Sequence, residues 1–144
     1  MRVADILKVK GNAVMAVRPT EAIQAVAKRL QQDRVGAMVV SSDGASLDGI
    51  ITERDVALGL AIYGTELCAL PVSTLMITTV VTCSPEDSVA DVAKIMTERR
   101  LRHLPVKEGR KLVGVVSIGD VLKHRLVEVQ LESNVLRDIV IARR

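Results

Sequence analysis

Thr52 and Asp55 stand three residues apart within "GIITERDV" (49–56), and Ser117 and Asp120 do so within "GVVSIGDV" (114–121). Both stretches read glycine, two β-branched residues, a hydroxyl residue, two variable positions, aspartate and valine. A hydroxyl followed three residues later by an acid is a capping box, in which the two side chains satisfy two free N–H groups at a helix start. The same pattern suits a ligand. Backbone N–H groups at a strand-to-helix junction attract anions. A hydroxyl there can donate to a phosphate, and a carboxylate one turn in has two oxygens with which to hold both hydroxyls of a ribose. Dinucleotide folds use an acid for this purpose in a different scaffold. Ile50-Ile51 and Val115-Val116 would give a purine an apolar wall. Duplication alone could also explain two capping boxes, so the octets leave both readings open.

The elements that must position these residues are themselves repeated. "PTEAIQAVAKRLQQDRVGAMVV" (19–40) lies over "PEDSVADVAKIMTERRLRHLPV" (85–106) without a gap at an offset of 66, which becomes 65 at the octets. Ile23, Val26, Ala27 and Leu30 coincide with Val89, Val92, Ala93 and Met96, spaced i, i+3, i+4, i+7 on one helix face. Each unit reads as a short strand (14–17; 80–83), an amphipathic helix, two strands around a Ser-Asp-Gly or Glu-Gly turn, and a helix opening at Thr52 or Ser117. Gly49 and Gly114 read as turn ends. A β-α-β-β-α unit of about 60 residues buries too little surface to be secure alone. The expected division is a first repeat over 1–66, a second over 67–128 and a helical extension over 129–144, all in one compact module. Pro71 would open a short helical turn in the linker 63–76. In the extension Leu122, Leu126, Val129, Leu136 and Val140 recur at steps of 4 and 3, with Ser133 in the polar register. That stripe could pack on the body or on a second chain.

Composition narrows the function classes. Among 144 residues there is no Phe or Trp, and Tyr63 is the single aromatic. The core must be aliphatic, which suits buried strands packed by helices. No apolar run approaches the ~20 residues that span a bilayer, and charges at Arg2, Asp5, Lys8 and Lys10 interrupt any leader-like core. A cytoplasmic protein without membrane association is expected. Cys68 and Cys83 lack metal or redox spacing and read as buried structural thiols. The formal charge of +3 allows an anionic partner without requiring one, and most of the excess lies in 94–111.

The paired octets, "RHLPV" (102–106), "TVVTCSP" (79–85) and the helix register shared by the halves make the chain resemble the tandem cystathionine-β-synthase (CBS) domain pair, or Bateman module. The resemblance covers roughly residues 3–128 and is most similar to short bacterial proteins made of one such pair. It implies an α/β (α+β) fold of two β-α-β-β-α repeats about a pseudo-twofold axis, followed by a long C-terminal helix. It also implies a non-catalytic sensor, commonly a dimer, that binds AMP, ADP, ATP, NAD or S-adenosylmethionine in two clefts between the repeats and reports to an effector protein. By motif position Asp55 and Asp120 would hold ribose hydroxyls, Thr52 and Ser117 would contact ribose or phosphate, and Ile50 and Val115 would line the base. Asn12 to Val14 and Val35 would complete the Asp120 cleft, and Thr78 to Val80 with Leu101 the Asp55 cleft.

The clefts are expected to differ. Arg102 and His103 sit in the second repeat where the resemblance implies phosphate-binding basic residues, and Gly119 leaves room beside Asp120. The first repeat carries Gly36 and Ala37 there, with Arg54 in the slot of Gly119. On this reasoning the Asp120 cleft binds more tightly. His124 reads as surface. An enzyme is not expected, because there is no nucleophile–base pair, metal cluster, P-loop or G-x-G-x-x-G; a repeated acid suits a ribose better than acid–base work. Nucleic-acid binding through 94–111 would need aromatics or a free recognition helix, and neither is available. A protein-interaction or structural module without nucleotide is the alternative.

Overall fold

The computed structural model describes residues 1–11 and 13–143. The chain is a mixed α/β fold of two similar halves carrying a long final helix. The first half holds β1 (Ala16–Val17), α2 (Ile23–Asp33), β2 (Ala37–Val40), β3 (Gly49–Thr52) and α3 (Glu53–Tyr63), preceded by α1 (Val3–Lys10). The second holds α4 (Val89–Arg99), β4 (His103–Glu108), β5 (Lys111–Ser117) and α5 (Ile118–Ala142). In the first sheet β1 runs parallel to β2, and β2 antiparallel to β3. In the second β4 pairs antiparallel with β5, and the strand expected over 80–83 reduces to a parallel bridge between Cys83 and Val106. That bridge matches the Val17–Val40 pair of β1 and β2 at the offset of 66. The hairpins turn at Gly44 and Gly109, which adopt φ of +82° and +62°, backbone that glycine tolerates freely.

Each half borrows from the other end of the chain. Val3, Ile6 and Leu7 of α1 are buried in the core of the second half with Val89, Val92, Met96, Leu104 and Val116. Leu67 and Val72, from two short 3₁₀ turns (Gly64–Ala69 and Val72–Thr74), are buried in the first-half core with Ile23, Val26, Leu30 and Ile51. The backbone bonds repeat the exchange: Val3 N–H donates to the Asp87 carbonyl at 2.9 Å, and Val72 N–H to that of Glu21 at 2.8 Å. Pro71 caps the second turn, as its fixed φ favours. Sequence reasoning assigned no element to α1, whose Val3-Ile6-Leu7 stripe is short and interleaved with charge.

The octet glycines lie within strands rather than ending turns, and they are there for close approach. A Cβ on Gly49 would lie 2.8 Å from the Ile77 carbonyl oxygen, and one on Gly114 would lie 2.6 Å from Leu7 Cδ2. They are the places where the linker and α1 lie against the two sheets. The halves also join directly, Leu112 N–H donating to the Ala45 carbonyl at 3.1 Å. Cys83 is buried, and burial pushes its thiol up to about 12. Cys68 is exposed, contrary to expectation, because its 3₁₀ turn turns Leu67 inward instead.

Candidate functional site

Both octets build the capping box their spacing encodes. Thr52 Oγ1 accepts from Asp55 N–H at 3.2 Å, and Thr52 N–H donates to Asp55 Oδ2 at 2.9 Å. Ser117 and Asp120 form the same pair at 3.2 and 2.9 Å. Capping uses only Oδ2 of each acid. Among the described residues, Oδ1 of Asp55 and of Asp120 accepts no hydrogen bond. The cap therefore holds each carboxylate in place at a helix N-terminus and leaves an acceptor available.

Beside Asp55 lies a cleft of about 880 Å³, a size that holds a drug-sized ligand. Its lining includes the apolar Ile50, Ile77, Val80, Val81 and Leu101 and the cationic Arg54, Arg100 and Arg102. Arg100 is the C-cap of α4 in left-handed backbone, φ +55°. Four parts thus converge here: the start of α3, the linker after the 3₁₀ turns, the end of α4 and the start of β4.

The second cleft, about 630 Å³, is lined by Lys10, Ala13, Met15, Arg34, Val35, Val115, Ser117 and Gly119 among others. Its acid is already engaged. Lys10 Nζ donates to Asp120 Oδ2 at 2.7 Å and to the Val115 carbonyl at 2.9 Å. Burial pushes the Asp120 carboxyl up, but the bonds from Lys10 and Ser117 outweigh it and leave the group below its ordinary value.

A common wall of Gly36, Glu53, Arg102 and His103 separates the clefts and lines both. Gly36 permits it: a Cβ there would come within 3.0 Å of His103 Cε1. The wall follows the pseudo-symmetry, with Glu53 N–H donating to the Gly36 carbonyl at 2.9 Å and Ile118 N–H to that of Arg102 at 2.8 Å. Burial pushes the His103 imidazole below its ordinary value, and Lys10 and Arg102 add to this against the pull of Glu53 and Asp120.

The structure therefore brings Ile50, Thr52, Arg54, Asp55, Val80 and Leu101 to one cleft, and Val35, Val115, Ser117 and Gly119 to the other, with Asp120 beside it under Lys10. Asp120 itself, Thr78 and Val14 are not in the linings; Ser117, Ile118 and Gly119 stand in place of the first, Thr79 of the second, and Ala13 and Met15 of the third. Asn12 lies outside the described residues. Arg102 and His103 line both clefts, which removes one of the two reasons for expecting the Asp120 cleft to bind more tightly; the other, Gly119 against Arg54, stands in the linings. Sequence reasoning missed Lys10, Glu53, Arg34 and Arg100. The last two had a signal, being the same residue at the 66-residue offset, each now a left-handed C-cap. His124 is half-buried, its Nδ1 3.0 Å from the Asp120 carbonyl oxygen one turn back.

Two half-domains exchanging their leading segments around a pair of capped-acid clefts define a tandem CBS module, and the family model for the CBS domain matches residues 3–61 and 72–127. The chain belongs to the CBS-domain family. It is 34% identical over 113 residues to the CBS domain-containing protein YhcV of Bacillus subtilis, covering 78% of this chain and 79% of that one. It is 32% identical to the mitochondrial protein CBSX3 of Arabidopsis thaliana, covering 84% of this chain but 63% of that longer one. The CBS-domain protein ATU1752 of Agrobacterium tumefaciens superposes with a TM-score of 0.83 at 38% identity, covering 87% of this chain and 99% of that one. The CBS pair of MJ0100, solved in complex with 5′-methylthioadenosine and S-adenosyl-L-methionine, superposes with a TM-score of 0.75 at 25% identity, covering 90% of this chain and 98% of that one. Among the described residues, no helix is long and apolar enough to cross a membrane.

Proposed function

We propose that this chain is a non-catalytic sensor of adenosine nucleotides, such as AMP, ADP, ATP or NAD, and that the Asp55 cleft is its principal site. The observation that carries the reading is the set of groups that line that cleft. A fixed carboxylate with an open oxygen shares the lining with Ile50 and three arginines, and the arginines suit a phosphate. The ribose diol would rest on Asp55, the base would lie between Ile50, Val80 and Leu101, and the phosphates would meet Arg54, Arg100 and Arg102. The adenosine compounds bound by the CBS pair of MJ0100 support the ligand class. The aspartates serve as acceptors tied into caps, a task that needs no proton transfer. Ligand would act by shifting how the two halves, or two copies, pack, and an effector protein would read that change.

Thermal unfolding with AMP, ADP, ATP, NAD, S-adenosylmethionine and adenosine tests this. A ligand at one hundred times its dissociation constant adds about 2.7 kcal/mol, a rise of several degrees for a chain of this size, at roughly 2–4 °C per kcal/mol for somewhat larger domains. The rise should occur with at least one nucleotide and be reduced in Asp55→Ala, which loses the stronger of the two clefts. If no adenosine compound moves the midpoint, the octets are capping devices only, and a protein-interaction module is the better reading.

A further inference from the structure

We propose that Lys10 makes the second cleft selective for adenosine ligands that carry phosphate, by holding the Asp120 carboxylate until an anion draws the ammonium away. This rests on the reading of the clefts as adenosine sites. The Lys10 ammonium touches Asp120 Oδ2 at 2.7 Å and the Val115 carbonyl at 2.9 Å. These are the acid that a ribose would need and the backbone of the wall assigned to the base. Asp120 Oδ1 stays open, but the ammonium bridges the acid and that wall, so an uncharged nucleoside that lies over both must displace it and leaves it only water. A nucleotide breaks the same contacts but brings an anion, and a charge-assisted bond to phosphate replaces the one lost.

The ammonium stays within the cleft after it swings. Its backbone ends α1, which Val3, Ile6 and Leu7 bury in the core of the second half, with Leu7 seated against Gly114. The lysine stem is flexible enough for the head to turn from the acid toward the cleft interior. The first cleft has no such device. The segment that lines it in place of α1 is uncharged at Ile77, Thr79, Val80 and Val81. The Asp55 carboxylate, among the described residues, is bonded by Thr52 alone. The first cleft would thus offer its acid to any adenosine ribose, whereas the second would release its acid readily only to a ligand that brings an anion.

Calorimetric titration of AMP and of adenosine tests this in the Asp55→Ala chain, where the first cleft is disabled, and in the same chain carrying Lys10→Met or Lys10→Arg. The Asp55→Ala chain should bind AMP about ten times more tightly than adenosine, the size of one charge-assisted contact. Lys10→Met should narrow the preference, weakening AMP and strengthening adenosine, a gain that a damaged fold could not give, while Arg34 and Arg102 keep some attraction for phosphate. Lys10→Arg should keep the preference. Equal affinities with Lys10 present, or a preference unchanged in Lys10→Met, would make Lys10 a structural tie between α1 and α5 and overturn the proposal. So would loss of all AMP binding in Asp55→Ala when the wild type binds it. A wild type that binds neither compound defeats the reading of the clefts itself, a result distinct from all of these.

Discussion

Asp55 and Asp120 each do two things with one carboxylate, and the two oxygens divide the work. Because Oδ2 belongs to the cap, Thr52→Ala or Ser117→Ala should each cost about 1 kcal/mol of stability, measurable by urea unfolding. Each should also weaken nucleotide binding at its own cleft by loosening the acid. The depressed Asp120 carboxyl has a sign that can be worked out. A group held below its unfolded value stabilises the fold above roughly pH 4 and loses that contribution as pH falls through the folded value. The thermal midpoint should therefore fall as pH drops below about 4, and less steeply in Asp120→Asn. His103 acts in the neutral range. Its imidazole is held below its ordinary value by burial and by Lys10 and Arg102, so it is largely uncharged at pH 7. A phosphate in either cleft would favour its protonation. Nucleotide affinity should rise from pH 8 to pH 6 more in the wild type than in His103→Gln, and identical profiles would remove that proton from the mechanism.

Elements decide what single residues could not reveal. The capping boxes, the amphipathic helices and the hairpin turns were legible because their signals are local: spacing within one turn of helix, or a glycine at a tight corner. The position of α1 was not legible, because its partner surface lies in the other half of the chain and nothing in "VADILKVK" names it. Lys10 inherits that silence, since its contact with Asp120 exists only once α1 has crossed over. The octet glycines were visible but misread, for their reason is a neighbour more than 100 residues away at Gly114 and nearly 30 away at Gly49. That reason gives a graded prediction. Gly49→Ala meets a backbone oxygen that cannot step aside, whereas Gly114→Ala meets the end of a leucine side chain. Gly49→Ala should be the more destabilising, by about 1–3 kcal/mol. Gly114→Ala should be less than additive with Leu7→Ala, whose shortened side chain makes room.

At the scale of the whole molecule, the two halves are tied at both ends, so that on the proposed reading a ligand bound in a cleft between them would change their packing. The apolar residues left exposed are concentrated at the chain's last helix. Leu122, Leu126, Val129, Leu136 and Val140 of α5 are all exposed, at the heptad-like spacing read from sequence. Of the two uses that spacing allowed, packing on the body accounts only for the start of α5, where Val121 is buried. A second copy is therefore expected on the remainder, and light scattering after gel filtration should show a dimer that Leu126→Glu and Leu136→Glu together reduce to monomer. A monomer at all concentrations in the wild type would contradict this. The most direct test of the functional reading is titration of AMP into the wild type and Asp55→Ala by calorimetry. Tight binding with at least one site per chain, losing its strongest site in Asp55→Ala while the fold melts as before, is the expected result. Undiminished affinity in Asp55→Ala would mean that the acid is a cap and nothing more, and that the Asp55 cleft is not where this protein reads its ligand.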